Sequence, residues 1–189
     1  MKTIFIIFLS IVTVERSWET FLSNKSEEKG VISGGWTLWA LTFIYILIII
    51  STLIETVYIQ RTSNHIISII GCLLFCVALF GRNYSIKALG KFHSINIEIK
   101  QDHTIIRNGP YKYLRHPYYL SIMMEVTGIP LIGHCYYTFC IALLTYVPLV
   151  FCRIYLEEAA MSETIGEKFL DYKSEVNAFF PFKKAEKRL

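Results

Sequence analysis

The sequence predicts an all-α protein: a polytopic membrane helix bundle of about five transmembrane helices, with a polar cytosolic segment and a C-terminal amphipathic helix. Three observations support this prediction. Of the 189 residues, 53% are hydrophobic and 18% charged, and the mean hydropathy is +0.44, far more apolar than a soluble domain of this length. The apolar residues form runs of nearly membrane-spanning length. The lysines and arginines are concentrated in alternate connections between those runs.

Each predicted span is justified by its length. A helix needs about 20 apolar residues to cross a hydrocarbon core of ~30 Å. One run meets this length, two are slightly short, and two weaker runs can cross if they pack inside a bundle. In that order the runs are 36–59, 66–81, 135–152, 118–132 and 3–14. No small-residue cleavage pattern follows the first run, so we expect a retained first span and not a signal peptide.

The charge distribution predicts the orientation. Three basic residues lie between the first and second runs, one in the 60s connection, and none in the turn near residue 134. The connection 82–116 and the tail after residue 152 carry seven each. By the positive-inside rule, the N-terminus lies outside and both basic segments are cytosolic. Without repeats or linkers, we expect one domain over 1–189, with its functional part at about 82–182.

Several function classes are excluded by absent motifs. The chain has no GxGxxG, P-loop, GxSxG or HExxH pattern, and no strand–helix alternation typical of a soluble Rossmann enzyme. The five cysteines form no CxxC pair. We therefore expect small, buried apolar cysteines, with no disulfide framework and no metal site.

The segment 107–120, RNGPYKYLRHPYYL, is unusually polar and aromatic for the start of a span. Pro117 suits the first turn of a helix, which puts His116 at or near the N-cap. Free N–H groups and the positive dipole end at that point attract a carboxylate or an electron-rich ligand. Tyr118 and Tyr119 also fit an interfacial aromatic belt.

Basic residues beside this helix start have an equally simple interpretation. Arg115 and Lys112 can contact lipid headgroups. Spacing alone therefore leaves a membrane anchor and a functional site both open. Glu125, inside the predicted fourth span, is a functional candidate because intramembrane charges are costly, but it can equally be a partner for a neighbouring helix.

A second polar segment, RIYLEEAAMSETIGEKFLDYKSEVNAFFPF, follows the last span. Arg153 and Glu157 are four residues apart and share one helix face, while Glu158 points about a quarter-turn away. A solvated i,i+4 ion pair is the simpler alternative to a site. Farther on, apolar residues recur at helical spacing and predict a helix folded back against the membrane or the 82–116 segment. They are Ile165, Phe169, Tyr172 and Val176.

Four pieces of sequence together resemble the isoprenylcysteine carboxyl methyltransferase family of small integral-membrane enzymes. They are HTIIRNGPY (103–111), RHPYY (115–119), RIYLEE (153–158) and GEKFLDYKSEVNAFFPF (166–182). The resemblance covers roughly 70–182. The N-terminal ERSWETFLSNKSEEKG is similar to a prokaryotic branch, whose members resemble enzymes that methylate long-chain polyketides. It implies a prokaryotic inner membrane and not the endoplasmic reticulum.

The resemblance implies S-adenosylmethionine as cofactor and assigns roles by position. Arg153 is expected to face the methyl acceptor as the catalytic residue, and Glu157 to close the cofactor pocket from the last helix. Arg115, Glu158 and Glu125 are further candidates for a substrate contact or a base. The remaining expected cofactor-binding residues are His103, Thr104, Ile105, Ile106, Tyr111, His116, Pro117, Tyr118 and Tyr119.

The acceptor is expected to be a lipophilic small molecule or prenylated substrate from the bilayer, with membrane lipids and no nucleic acid as other partners. A carboxylate acceptor needs no base, whereas for a phenol or enol that has to be deprotonated the candidate bases are His116 and Glu158. A shorter chain than the family's eukaryotic members makes a prenylated-protein substrate less expected. Three alternatives stay open: a phospholipid amine N-methyltransferase, an NADPH-dependent membrane reductase, and a transporter subunit using Glu55 and Glu125.

Overall fold

The computed structural model of the protein is an α-helical bundle with one short two-stranded sheet. It describes residues 2–21, 31–33, 35–90, 97–99 and 105–181. The elements are α1 (Lys2–Phe21), β1 (Val31–Ser33), α2 (Trp36–Tyr58), α3 (His65–Leu89), β2 (Ile97–Ile99), a 3₁₀ helix (Gly109–Lys112), α4 (Pro117–Ile132), α5 (Tyr136–Ile141), a π-helical segment (Ala142–Tyr146), α6 (Val147–Ile165) and α7 (Glu167–Glu175). The predicted all-α class is therefore confirmed, apart from the two strands.

Three helices in the described part of the chain are long and apolar enough to cross a membrane. They are α2, α3 and the continuous helix Tyr136–Ile165, with mean hydropathies of 2.3, 2.0 and 2.0. The prediction of a membrane protein is confirmed. Five spans remain a prediction, because α4 has only 16 residues and α1 carries charged residues in its second half. The helix of the last predicted span continues without a break to Ile165, as expected from the shared helix face of Arg153 and Glu157.

The two strands bring two connections together at one end of the bundle. β1 lies between α1 and α2, β2 lies between α3 and α4, and they pair antiparallel with Ile32 opposite Glu98. Both connections therefore lie at the end where α4 begins. Strands of three residues carry too little pattern to be predicted from sequence.

Small residues allow α3 and α4 to pack backbone against backbone. A Cβ on Gly71 would lie 2.7 Å from the backbone N of Ile132, and one on Gly128 would lie 3.1 Å from the Gly71 carbonyl. Close approach at small residues is the usual way that membrane helices gain van der Waals contact. It fixes α4, whose N-terminus forms the site described below, firmly against α3.

The described residues form two apolar clusters in the interior. The larger joins α2, α4, the π-helical segment and α6, and it includes Ile48, Val126 and Val150. The smaller joins the N-terminal helix to the rest and includes Leu9 and Ile129. Many large apolar side chains instead point outward, as expected for helices facing lipid.

The cysteines only partly match their prediction. Cys135 is buried, but Cys72, Cys76 and Cys140 are exposed. The reason is that a cysteine in an apolar run can face lipid as readily as the core, so hydropathy alone does not predict its burial.

A sharp turn sends α7 back towards the bundle. Gly166 has φ of +64°, a conformation that residues with a Cβ rarely adopt. After this turn, Phe169 and Tyr172 are buried, with exposures of 2% and 5%. The predicted fold-back is confirmed, and the contacts of α7 include the 82–116 segment, where Tyr172 bonds to Tyr111.

Candidate active site

The N-terminus of α4 is held in place by the chain that follows α7. His116 is the N-cap residue and Pro117 opens the helix, as the proline predicted. The Arg115 N–H donates to the carbonyl of Asn177 at 2.9 Å, and the His116 N–H donates to that of Ala178 at 3.1 Å. These backbone bonds form a short parallel bridge with Leu114 and Asn177 as its pair. The helix start is thus buried beneath the C-terminal segment.

Glu158 joins three cationic or imidazole groups from different parts of the site. Its Oε1 lies 3.1 Å from the Arg115 guanidinium and 2.9 Å from His116 Nε2, and its Oε2 lies 2.8 Å from Lys173 Nζ. The side chain is 13% exposed, so these partners replace the water that a carboxylate would otherwise need. Glu158 therefore connects α6, α7 and the start of α4.

A chain of hydrogen bonds connects Arg153, Tyr119 and Glu157. The Tyr119 hydroxyl donates to Glu157 Oε2 at 2.5 Å and accepts from Arg153 Nε at 3.0 Å. Arg153 also donates to the Thr37 hydroxyl of α2 at 2.8 Å, and it is 4% exposed. A cation this deeply buried is tolerated only with such partners. The predicted i,i+4 pair of Arg153 and Glu157 is thus bridged by a phenol from α4.

Two further tyrosines attach the 3₁₀ helix to α7. The Tyr172 hydroxyl donates to the Tyr111 carbonyl at 2.6 Å. Burial raises the pKa of Tyr172 to about 12, although Arg115 and Arg107 lower it. Burial, together with Glu157 and Tyr172, raises the pKa of Tyr111 as well. Both phenols therefore stay protonated at neutral pH.

The structure brings most of the predicted site residues to one end of the bundle. Tyr118 packs edge-on against Tyr119, with ring centroids 5.9 Å apart. Ile105 and Ile106 are half-buried ahead of the 3₁₀ helix. His103 and Thr104 lie outside the described residues.

Glu125 lies elsewhere, in a buried ion-pair cluster of α1, α3 and α4. Its carboxylate is 3.0 Å from Arg82 and 3.1 Å from Arg16, and Arg82 also pairs with Glu15. Glu125 and Arg82 are 0% and 1% exposed. These contacts fit the alternative in which Glu125 joins neighbouring helices; a substrate or base role for it remains a prediction.

The other carboxylate of the apolar helices, Glu55, is also occupied by protein contacts. It accepts hydrogen bonds from the backbone N–H groups of Tyr137 and Thr138 at 3.2 and 2.9 Å, and from Arg61 at 3.1 Å. Glu55 thereby neutralises the N-terminal end of α5. These contacts give Glu55 a structural role between α2 and α5.

Three contributors to the site were not identified from the sequence. Thr37 holds Arg153, Lys173 holds Glu158, and Phe179 lies 6.3 Å from the His116 ring. Thr37 gives no local signal, because it is far from Arg153 in the chain and lies in an apolar run. The other two belong to the segment whose fold-back was predicted, but the periodicity does not reveal which side chains reach the site.

Together the fold and site define a class of protein. It is a small membrane protein made of helices, and its polar groups converge at one end of the bundle, where α4 begins and α6 ends. The chain belongs to the isoprenylcysteine carboxyl methyltransferase family. The family's sequence profile matches residues 69–163, just over half of the chain. That range contains every residue of the Arg153–Tyr119–Glu157 chain.

Individual relatives agree with this membership. The uncharacterized protein YpbQ of Bacillus subtilis is 24% identical over 164 residues, which cover 84% of this chain and 97% of that protein. The protein-S-isoprenylcysteine O-methyltransferases of Saccharomyces cerevisiae and Tribolium castaneum are 25% and 29% identical, over 61% and 57% of this chain. The aligned part spans 49% and 40% of those two enzymes.

Proposed function

We propose that the protein transfers a methyl group from S-adenosylmethionine to a lipophilic acceptor at the cytosolic membrane face. The acceptor is the carboxylate of an isoprenylcysteine-like compound or the hydroxyl of a long-chain polyketide. One observation carries this proposal above the others: Arg153, Tyr119 and Glu157 form a continuous hydrogen-bonded chain at the start of α4. The arrangement puts an anion-binding group and a cation-binding group side by side.

The residues at this end fit the cofactor by their chemistry. S-Adenosylmethionine carries a sulfonium and an ammonium, a carboxylate, and a ribose with two hydroxyls. Glu157 is an acceptor for the ammonium or ribose hydroxyls, and the rings of Tyr111 and Tyr119 offer aromatic walls of the kind that bind onium groups. The N-terminus of α4 suits the carboxylate. When bound, the cofactor would supply an electrophilic methyl group.

Arg153 is the residue that we assign to the acceptor. Its guanidinium is buried and its Nε is fixed by the Tyr119 hydroxyl, so it is already oriented before an acceptor arrives. A fixed guanidinium can hold a carboxylate through two hydrogen bonds. Such positioning is the main contribution that a protein can make to an in-line displacement.

A carboxylate acceptor is already ionised, so no proton has to be removed. For a hydroxyl acceptor, His116 and Glu158 would be the base candidates. His116 Nε2 already lies 2.9 Å from Glu158. We propose that Glu158 holds the imidazole and the C-terminal segment in place. His116 is then the base that accepts the proton of a hydroxyl acceptor.

The proposal requires cofactor and acceptor to arrive from different directions. The polar cofactor comes from the aqueous side, where the basic connections lie, and the greasy acceptor comes laterally from the bilayer. We propose the inner membrane of a prokaryote as the location, with the N-terminus outside.

The decisive experiment is product identification with the purified protein in lipid nanodiscs. It is incubated with S-adenosylmethionine labelled on the methyl group and, separately, with a lipophilic carboxylate, a long-chain phenol and phosphatidylethanolamine. We expect label in the methyl ester or methyl ether. Label only in the phospholipid would replace the proposal by an amine N-methyltransferase, and label in none of them, with no heat of cofactor binding, would contradict methyl transfer altogether.

Two variants then test the roles within the site. Glu157→Ala should weaken cofactor binding by more than tenfold, because a charged partner is removed. Arg153→Ala should reduce turnover more than cofactor affinity. Equal effects on both quantities in both variants would contradict this division of labour.

A further inference from the structure

Among the described residues, the hydroxyl of Tyr45 is buried and has no hydrogen-bond partner. Tyr45 lies on α2, and its phenol oxygen is buried without a hydrogen bond to any group of the described chain. A buried donor left unpaired costs about 1–3 kcal/mol. A phenylalanine would fill the same volume without that cost. The hydroxyl is therefore accounted for only if something else binds to it.

The position of Tyr45 relates it to the proposed acceptor site. Thr37, which holds Arg153, is eight residues earlier on α2, or about 12 Å along the helix axis. Side chains on a helix lean towards its N-terminus, so the phenol leans towards Thr37. One lipophilic molecule with two polar groups can span the remaining distance.

Tyr146 is buried in the apolar cluster against which Tyr45 packs. It is 4% exposed and ends the π-helical segment. It interacts electrostatically with Arg16, Glu125, Tyr118 and Arg153. π-Helical insertions are frequent at functional sites, because one extra residue rotates the following side chains. The insertion is therefore consistent with a site between α2 and α6.

We propose that the Tyr45 hydroxyl donates a hydrogen bond to a second oxygen of the bound acceptor, distinct from its reacting group, and thereby contributes to acceptor specificity. This inference rests on the proposed function. The reacting group lies at Arg153, and the second oxygen, a carbonyl or hydroxyl, lies at Tyr45.

The O–H group of Tyr45 favours an oxygen over an ammonium group. The Arg16 guanidinium lies over the Tyr45 ring, 5.9 Å from its centroid, and is paired with Glu125. The hydroxyl can donate to an oxygen lone pair, whereas an ammonium group has no lone pair to accept the hydrogen bond. A site that hydrogen-bonds an oxygen also discriminates against analogues lacking it, because the donor is then left unpaired again.

The test compares two acids that differ in a single polar group. 8-Hydroxyhexadecanoic acid carries a hydroxyl partway along its chain, far enough from the carboxylate to reach Tyr45, and hexadecanoic acid has the carboxylate alone. The affinity of each acid is measured by calorimetry in nanodiscs without cofactor, and kcat/KM is measured with labelled S-adenosylmethionine. The variants are Tyr45→Phe and, as a matched control on the same helix, Tyr58→Phe, whose side chain is 79% exposed.

We expect Tyr45→Phe to lower affinity and kcat/KM for the hydroxy acid about threefold to tenfold, the effect of one neutral hydrogen bond. The values for the simpler acid should not change, Tyr58→Phe should behave as wild type, and the melting temperature of Tyr45→Phe should be no lower. An equal loss for both acids, no loss for either, or a wild-type protein that binds neither acid would overturn the inference. If the acids bind with the expected discrimination but receive no label, the proposed function fails while the role of Tyr45 as a binding residue stands.

Discussion

Tyr119 is the residue on which the proposed site depends most directly, and Tyr119→Phe is its sharpest perturbation. The substitution removes one oxygen and keeps the ring that packs against His116 and Tyr118. It breaks two bonds at once: the one accepted from Arg153 and the one donated to Glu157. The two halves of the site then lose their connection.

The expected magnitude follows from the charges of the two partners. A hydrogen bond to a charged group contributes about 1.5–3 kcal/mol. Glu157 is half-buried, so water can replace part of the hydrogen bond that Tyr119 donated to it. The lower end of this energy range therefore applies to Glu157. A loss of about 1.4 kcal/mol corresponds to a tenfold change in affinity. Arg153 is 4% exposed, so water cannot replace its lost partner, and turnover should fall further than affinity.

The assay is calorimetric titration with S-adenosylhomocysteine, which binds without reacting, alongside turnover with a lipophilic carboxylate. Tyr155→Phe, on α6 close to Arg153 and 72% exposed, is the control and should leave both quantities unchanged. We expect Tyr119→Phe to bind about tenfold more weakly and to turn over more slowly still. Affinity and turnover within twofold of wild type would refute the assignment of this hydrogen-bonded chain to the site.

Three predictions concern the remaining framework. Glu125→Gln should lower the free energy of unfolding by about 3 kcal/mol, because it leaves the buried guanidinium of Arg82 without the charge of Glu125. The double variant with Arg82→Gln should lose less stability than the two single variants combined. Strictly additive losses in thermal unfolding would contradict the pairing. Gly71→Val should destabilise the protein or prevent folding, since its Cβ would meet backbone atoms of α4 within 3 Å, and an unchanged melting temperature would contradict this close packing. Tyr172 and Tyr111 have raised pKa values in the folded protein. Their contribution to stability is therefore fully present below about pH 10, the ordinary pKa of a phenol. The contribution of Tyr172 is lost as the pH rises through about 12. Melting temperatures measured from pH 8 to 12 should decline less steeply in Tyr172→Phe, and parallel curves would contradict the shift.

The helical class and the convergence of two distant segments could be predicted because they follow from local patterns. Pro117 after a basic residue predicts a helix start, and the recurrence of Phe169 and Tyr172 predicts a buried helix face. The hydrogen bonds between the two segments could not be predicted. Whether Arg153 meets Glu157 directly or through Tyr119 depends on the rotation of α6 relative to α4, which a one-dimensional pattern does not contain. Thr37 is out of reach for the same reason.

The charged residues in apolar surroundings show a second limit of prediction from sequence. The sequence indicates that Glu125 must have a partner, because an isolated carboxylate there is too costly. It does not identify Arg82 and Arg16 as the partners, because they lie on two other helices. The membrane exaggerates this difficulty, since lipid-facing and core-facing surfaces are equally apolar.

The backbone bonds from Arg115 and His116 to Asn177 and Ala178 have a consequence for biosynthesis. The start of α4 is synthesised well before the segment that covers it, and every helix from α4 to α7 must be inserted or folded in between. A nascent or truncated chain ending at Gly166 would therefore carry Arg153 and Glu157 without the segment that seals the α4 entrance. Such a chain lacks the carbonyl acceptors of Asn177 and Ala178 for the Arg115 and His116 N–H groups, so the start of α4 is completed only after Ala178 has been synthesised.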